Sequence, residues 1–509
     1  MLTQQSLEKD YNYFKEQARE LIHKGIYNDA IDAIRTAGTI AQNYCLFYTD
    51  GDIETMLFDI STSIVKRKEK HYKPVLGRVI FYDSFSRDNV MLTTQYINAL
   101  NKIGIEFMYL TMNTVDSLEK QKFYSQLKKN PKAVVCAGHS AMSTQESIEF
   151  IVKAIEEYRP EKILIHTRAE DICGILPWYQ FSEIERYYVE VTDHSYWPGV
   201  NAIDYCICFR NYGYSNAVNY RGIKENQLLI LPYHPALGDY PYEGIPESIP
   251  GSVKLFSGGR VTKVLDKDDT FLNLVKRALE CHPNTEFYFA GGGLIDGAAR
   301  FAHIQKFVKD NGLEKRFHLL GQRKDILDVT KHMDVFINTY PFGGGLMVQI
   351  AAMCGLPVVI LAKNGLCTSI EEFVKDDAWE KPDITFFNEE SADEEIGKLV
   401  NDSSYRKKRG DTLARQIVGP VAFAENLYSL LMEKKSAVQP IMHDGDYEIR
   451  RKINIEMENL VFHRYYGILL RSKLLRKKRP LRYASAAVKF IIESDKGYLI
   501  NTVKRYIKK

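Results

Sequence analysis

VKLFSGGRVTK (residues 253–263), FYFAGGG (287–293), RFHLLGQRKDI (316–326) and DVFINTYPFGGGLMVQIAAMCGLPVV (334–359) follow one another in the chain. Each joins an apolar run of strand length to glycines or cations. The series predicts a nucleotide-binding α/β domain that grips a diphosphate. Gly258 and Gly259 let the backbone approach a ligand closely. Arg260 and Lys263, three residues apart, can reach one anion, Arg as a fork and Lys as a point charge. A surface turn with two solvated cations fits the same residues. Gly343, Gly344 and Gly345 open a helix expected over 346–354, so free N–H groups and the positive dipole end aim at one spot. A flexible loop is the plain alternative. Gly291, Gly292 and Gly293 would admit a base or ribose, or serve only as a strand–helix turn.

Further strands are expected at 253–257, 286–290, 316–320, 335–338 and 357–361, with helices over 267–281 and 298–311. Upstream, strands are expected at 78–82, 106–110, 133–136, 162–166, 187–191, 203–209 and 228–231, with helices over 89–103 and 145–158. This alternation argues for two mostly parallel, helix-covered sheets. Between them, PYHPALGDYPYEGIPESIPG (232–251) holds five of the 17 prolines and marks a boundary or hinge. Two such domains place a ligand cleft at their C-terminal strand ends. Residues 1–70 are expected to be helical; KGIYNDAIDAI resembles one tetratricopeptide-type pair, but without further repeats it reads as a cap.

A chain of 509 residues suggests two main domains plus appendages. Hydrophobic residues at 45% and charged residues at 26% are ordinary for a globular protein. No apolar run approaches the ~20 residues that span a bilayer. The start MLTQQSLEKDYNYF carries no signal-peptide pattern, which leads us to expect a cytoplasmic protein. The eight cysteines form no CxxC pair and are expected to be reduced core thiols, Cys206 and Cys208 sharing one strand face.

The net charge of +3 is uneven. Residues 464–509 hold 14 Lys+Arg and 2 acids, or +12, so residues 1–463 carry 3 − 12 = −9. Within the tail, apolar residues repeat at helical spacing between the cations. A basic amphipathic helix suits an anionic membrane, on the inner face here. A solvated face packed on the body is the alternative; no nucleic-acid module is present, so no nucleic-acid partner is expected.

His194 lies in a turn, TDHSYWPG, beside Asp193. Its neighbours Asp193, Ser195, Tyr196 and Trp197, in a turn ending Pro198-Gly199, suit a functional histidine. A satisfied buried histidine is the alternative. His139, in CAGHS after another strand, is a weaker candidate of the same kind, and His234, in LPYHP, lies at the hinge. Asp50-Gly51-Asp52, Asp266-Lys267-Asp268 and Asp444-Gly445-Asp446 match D-x-D, a pattern common by chance. The middle one reads as a helix start, and no metal is expected.

The order strand-GGRxxK, FYFAGGG, LLGQRKDI and a glycine loop ahead of AAMCGLPVV resembles the C-terminal domain of GT-B glycosyltransferases over roughly residues 250–420. Residues 189–235, with His194, then IDY, then LLILP, are similar to protein O-GlcNAc transferases and bacterial peptide glucosyltransferases. They also look like a DHxFWxG pattern of other bacterial GT-B enzymes, with Tyr196 at the Phe position. The resemblance implies an α/β GT-B fold: two Rossmann-like domains facing a cleft, with helical extensions. These would be a cap (1–70), an acceptor domain (71–240), a donor domain (241–420) and a helical region ending in the basic tail (421–509). It implies a metal-independent hexosyl transfer from a nucleotide sugar, UDP-linked by default, with no other cofactor. The acceptor would be a glycan, a lipid-linked glycan or a protein. Arg260, Lys263 and Gly343–Gly345 would hold the diphosphate. Gly258, Gly259, Gly291, Gly292 and Gln349 would hold base and ribose. His194, at the cleft, would act in catalysis as general base or orient the acceptor hydroxyl, and Asp193 would fix its tautomer or sit on the sugar. One departure stands out. Where many GT-B enzymes place a ribose-binding carboxylate, this chain has Ile350, with Gln349 beside it. A catalytically silent partner of an active transferase is therefore the rival reading.

Overall fold

The computed structural model describes residues 1–68, 72–88, 91–139, 141–238, 240–292, 297–374, 384–443 and 445–493. Gly293, Asp444, residues 89–90 of the expected helix and residues 494–509 of the tail lie outside the described residues. The chain divides into two compact units, each assembled from three stretches. The first comprises Met1–Gly238, Val418–Tyr447 and Tyr465–Ala486; the second comprises Asp239–Ile417, Glu448–Arg464 and Ala487–Lys509.

The first unit holds seven strands: β1 (Arg78–Asp83), β2 (Glu106–Thr114), β3 (Ala133–Gly138), β4 (Lys162–His166), β5 (Glu185–Val189), β6 (Tyr205–Cys208) and β7 (Leu228–Ile230). They pair in parallel in the order β3-β2-β1-β4-β5-β6-β7. Near-continuous apolar runs such as KILIH follow from burial on both faces. Phe81, Tyr109, Leu164 and Tyr187 form part of the core. Helix Pro420–Glu433 completes it with Phe423, Leu427 and Leu430, and the Phe423 ring meets Tyr96 edge-on at 5.5 Å. Covering that face is what brings the chain back to this unit after residue 417.

The second unit holds β8 (Val253–Gly258), β9 (Thr285–Ala290), β10 (Phe317–Gly321), β11 (Val335–Ile337), β12 (Val358–Leu361) and β13 (Thr385–Phe386). Their order is β10-β9-β8-β11-β12-β13, again parallel. In both sheets the order turns back once, between β1 and β4 and between β8 and β11. Open parallel sheets bind ligands outside the carboxyl ends of the strands at such a reversal. The two-residue β13 escapes a reading based on apolar runs.

The described residues 1–68 hold three helices, Gln4–His23, Tyr27–Tyr44 and Gly51–Ile64. Asp50 caps the third by accepting from the N–H groups of Asp52 and Ile53, and it also takes the Tyr11 hydroxyl and the Lys15 ammonium. That D-x-D is thus a helix cap worth about 1 kcal/mol. Asp266 likewise receives the N–H of Thr270, at the start of helix Thr270–Cys281, at 2.8 Å.

The basic tail meets these N-terminal helices. Asp10 accepts from Tyr465 and Arg482. Asp32 accepts from Ser472 Oγ at 3.1 Å and from the Leu474 N–H at 2.9 Å. Lys477 pairs with Asp29 at 2.7 Å, and Arg479 lies 4.3 Å over the Tyr13 ring. Part of the charge imbalance is therefore met within the chain. Helix Pro480–Glu493 buries Ala486 and Phe490 and leaves Leu481, Val488, Ile491 and Ile492 exposed. Among the described residues, no helix is long and apolar enough to cross a membrane.

Asp32 is nearly buried and ties two elements about 440 residues apart in sequence. Asp32→Ala strands a buried hydroxyl and an N–H, which costs about 1–3 kcal/mol. We expect a lower denaturant midpoint and faster native-state proteolysis between residues 465 and 486. Unchanged cleavage and midpoint would mean that other contacts hold the arm.

Candidate functional site

In the second unit the residues picked out by the glycine-rich stretch converge at the β8/β11 reversal. Strand β8 ends at Gly258, and Gly259 follows with φ +151°, a value that favours glycine. Arg260 then leads a short 3-10 turn, Val261–Lys263. The Lys263 ammonium donates to the Gly343 carbonyl at 2.8 Å, which ties the cation turn to the glycine loop. Arg260 is exposed and Lys263 half-buried, and neither has a carboxylate partner among the described residues. Burial, and then the neighbouring Arg260 cation, pull the Lys263 pKa down to about 8. Two cations without an acid form a ready anion site.

The glycine loop is packed rather than loose. A Cβ on Gly345 would lie 2.2 Å from the Phe373 ring, and one on Gly291 would lie 2.1 Å from the Gly259 carbonyl. Helix Gly345–Met353 starts at this point, and its first-turn N–H groups lack intrahelical acceptors. The Gly344 N–H is turned inward to Asn338 Oδ1 at 2.9 Å. Asn338 Nδ2 and Ser257 Oγ, at the ends of β11 and β8, are buried without a hydrogen-bond partner among the described residues. Gln349, expected at a ribose, is buried and donates to the Phe373 carbonyl at 3.1 Å. Ile350 is also buried. Gly292 sits against Gln322. Asn338 was missed in the sequence; its only signal is a polar residue ending an apolar strand.

In the first unit, His194 and Asp193 lie just beyond β5. Asp193 is buried and accepts from Arg210 Nε at 2.6 Å, while its other oxygen lies 3.0 Å from His194 Nδ1. Burial opposes its charge, but Arg210 first and then His194 hold the carboxyl well below the usual range. The His194 side chain is 45% exposed, so its ring remains accessible. Helix Asn211–Arg221 braces this turn. Asn216 donates to the Asp193 carbonyl at 3.0 Å. Arg221 donates to the carbonyls of Thr192 and Ser195 at 3.0 and 2.7 Å. Sequence reading missed Arg210, Asn216, Arg221 and Glu190. Only Glu190 and Arg210 carried a signal, charge beside an apolar strand, in VEVTDH and CFRNYG. At the β1/β4 reversal a second pair, Asp83 and His166 at 3.0 Å, is fully buried among Thr93, Tyr109 and aromatic rings.

Glu190, Cys206 and Cys208 form the single metal-ligand cluster among the described residues, with donor atoms within 4.8 Å of one another. Arg221 Nε lies 3.8 Å from Glu190 Oε1 and repels a cation there. Burial and the nearby Asp193 charge push Glu190 above the usual carboxylate range despite Arg221. Hydrogen bonding to Cys206, then burial, pushes Cys208 well up. This is a buried thiol–carboxyl cluster with three donors, a poor match for a four-coordinate metal. Asp446, in the last D-x-D, accepts the Tyr212 hydroxyl at 2.6 Å.

Residues 253–397 match the family model described as glycosyl transferases group 1. No curated protein sequence matches the chain. Among solved structures, a point mutant of the Thermobaculum terrenum O-GlcNAc transferase has a TM-score of 0.52 at 13% identity, covering 87% of this chain and 85% of its own. HepE of Anabaena, in complex with UDP and glucose, has a TM-score of 0.50 at 13% identity, covering 69% of this chain and 98% of its own. At such identities the likeness establishes the fold, which is GT-B with helical extensions at both termini.

Two outcomes follow from the site's geometry. The Lys263 ammonium should titrate near pH 8 in side-chain NMR, and Arg260→Ala should move the midpoint upward by removing a like charge. A midpoint near the ordinary ~10.4 in both proteins would refute the pairing. A Cβ on Gly213 would lie 2.4 Å from Glu190 Oε2 and 3.1 Å from Asp193 Cβ. Gly213→Ala should therefore lower thermal stability by about 1–3 kcal/mol. Wild-type melting would mean the turn yields without cost.

Proposed function

We propose that this GT-B chain transfers a sugar from a nucleotide-sugar donor to a glycan, lipid-linked or protein acceptor in bacterial surface polysaccharide or glycoconjugate synthesis. The observation that carries the reading is the Arg260–Lys263 pair, two cations without a carboxylate at the sheet reversal of the unit that matches glycosyl transferases group 1. A diphosphate supplies the missing negative charge. UDP is the favoured nucleotide, supported by the UDP complex of HepE.

In the transfer, the bond between the anomeric carbon and the β-phosphate oxygen breaks, and its electron pair leaves on the nucleotide diphosphate. Arg260, Lys263 and the dipole of helix Gly345–Met353 stabilise that growing charge, a role a metal plays in other transferases. The acceptor hydroxyl oxygen bonds to the anomeric carbon and gives its proton to His194, which later releases it to solvent. Peripheral attachment to an anionic membrane belongs to the same proposal. Leu481, Val488 and Ile492 line one exposed face of helix Pro480–Glu493, with Lys489 alongside.

One specific observation favours a rival. Ile350 is buried and Gln349 is engaged with Phe373, so neither provides a ribose carboxylate. A silent partner subunit would fit that loss, but it would have no need to keep the two cations.

Calorimetric titration with UDP and with GDP tests the proposal. We expect binding of one nucleotide, weakened about tenfold or more in Arg260→Ala through loss of a charged hydrogen bond. Affinity should also weaken above about pH 8, where Lys263 loses its proton, by at most about tenfold per pH unit. Lys263→Met should flatten that dependence. Failure of both nucleotides to bind would count for the silent partner. Leu481→Asp with Ile492→Asp should reduce sedimentation with phosphatidylglycerol vesicles; unchanged sedimentation would sink the membrane role.

A further inference from the structure

We propose that Arg210 is a positioning residue that fixes the tautomer of His194, so that Nε2 stays an open proton acceptor. The inference deepens the reading of His194 as the acceptor-side base and rests on it.

What each group can donate decides the tautomer. An ionised carboxylate only accepts hydrogen bonds. Asp193 Oδ1 lies 3.0 Å from His194 Nδ1, so an ionised Asp193 requires the proton on Nδ1. The lone pair of the neutral ring is then on Nε2. Everything turns on whether Asp193, buried as it is, keeps its charge. A lone buried carboxyl would take up a proton, donate it to Nδ1 and move the ring proton to Nε2, which would close the base.

The geometry gives Arg210 that task. Its Nε is 2.6 Å from Asp193 Oδ2, the oxygen that His194 does not use. Arg210 precedes helix Asn211–Arg221, and its guanidinium is held over the rings of Phe209 and Tyr212 at 5.4 and 4.5 Å. Both partners are almost wholly buried, so solvent does not screen the pair. Neighbouring ionisable groups have partners of their own. Arg221, at the far end of the same helix, is turned to the carbonyls of Tyr48, Thr192 and Ser195. Glu190, just after β5, lies beside Arg221. Cys208 on β6 hydrogen-bonds Glu190. The Tyr233 hydroxyl donates to the Glu190 carbonyl. Arg221 thus fixes where the turn runs, and Arg210 fixes the charge on the side chain that the turn carries.

The test is nitrogen-15 NMR of the histidine rings in the full chain, with His194 assigned from His194→Gln. Tautomer is read from the two ring nitrogens, so no donor or acceptor is needed. Wild type should show the Nδ1–H form at neutral pH. Arg210→Lys, which keeps the cation, should preserve it. Arg210→Met should lose it, and so should Asp193→Asn, whose amide can donate to Nδ1. In the Asp193→Asn background, Arg210→Met should change the tautomer no further, because Arg210 acts through Asp193. If Arg210→Met does not fold, Arg210→Gln takes its place. A retained Nδ1–H form in the uncharged variant would overturn the inference, as would loss of that form in Arg210→Lys.

Hydrolysis of the UDP-sugar that the wild type turns over separates the two layers. Arg210→Met should lower kcat about a hundredfold with little change in KM. If His194→Gln leaves kcat unchanged, the base reading of His194 fails, whatever the tautomer result.

Discussion

Parallel pairing sends every strand of a sheet out at the same edge, and the rest of this molecule follows from that constraint. The strand ends crowd there, and wherever the winding order reverses, the connecting loops part and leave room. In the second unit this brings Gly258, Ser257 and Asn338 together, with Arg260 and Lys263 on one side and the glycine loop on the other. The glycines are demanded by the crowding as much as by any ligand. A side chain at Gly291 or Gly345 would strike a backbone carbonyl or a phenyl ring. Close packing and anion binding ask for the same residue type, which is why glycine runs alone distinguish poorly between a turn and a site.

Buried charge organises the first unit in a different manner. Asp193, Glu190, Arg210 and Arg221 are all withdrawn from water, at a cost that only mutual pairing and hydrogen bonds offset. The four are not interchangeable. One arginine meets a carboxylate head-on and the other is turned largely to backbone carbonyls. The result is a turn rigid in both path and protonation, from which one imidazole projects.

Much of this was legible in the sequence, and the parts that were not share a cause. Buried parallel strands announce themselves as apolar runs, so twelve of the thirteen strands among the described residues were anticipated within a few residues, and β13, two residues long, was not. Arg260, Lys263 and the glycine loop could be read because cations and glycines directly follow such runs. Arg210 and Arg221 could not, because their role depends on which way helix Asn211–Arg221 faces the turn at 190–197, a tertiary fact. Asn338 was hidden for the same reason. The tail shows the opposite error of scale. Its charge was obvious, but the acids that answer it are more than four hundred residues away, at Asp10, Asp29 and Asp32.

That last distance bears on how the molecule is made. A ribosome releases residue 10 long before residue 482, and domains ordinarily settle in the order of their synthesis. Here the first helices receive their final neighbours from a segment more than four hundred residues further along the chain. Until those residues are made, Asp10 and Asp32 lack Tyr465, Ser472 and Arg482, and the first unit stays open on that side. A chain stopped before residue 465 would carry both sheets in full and leave the first unit unclosed on that side.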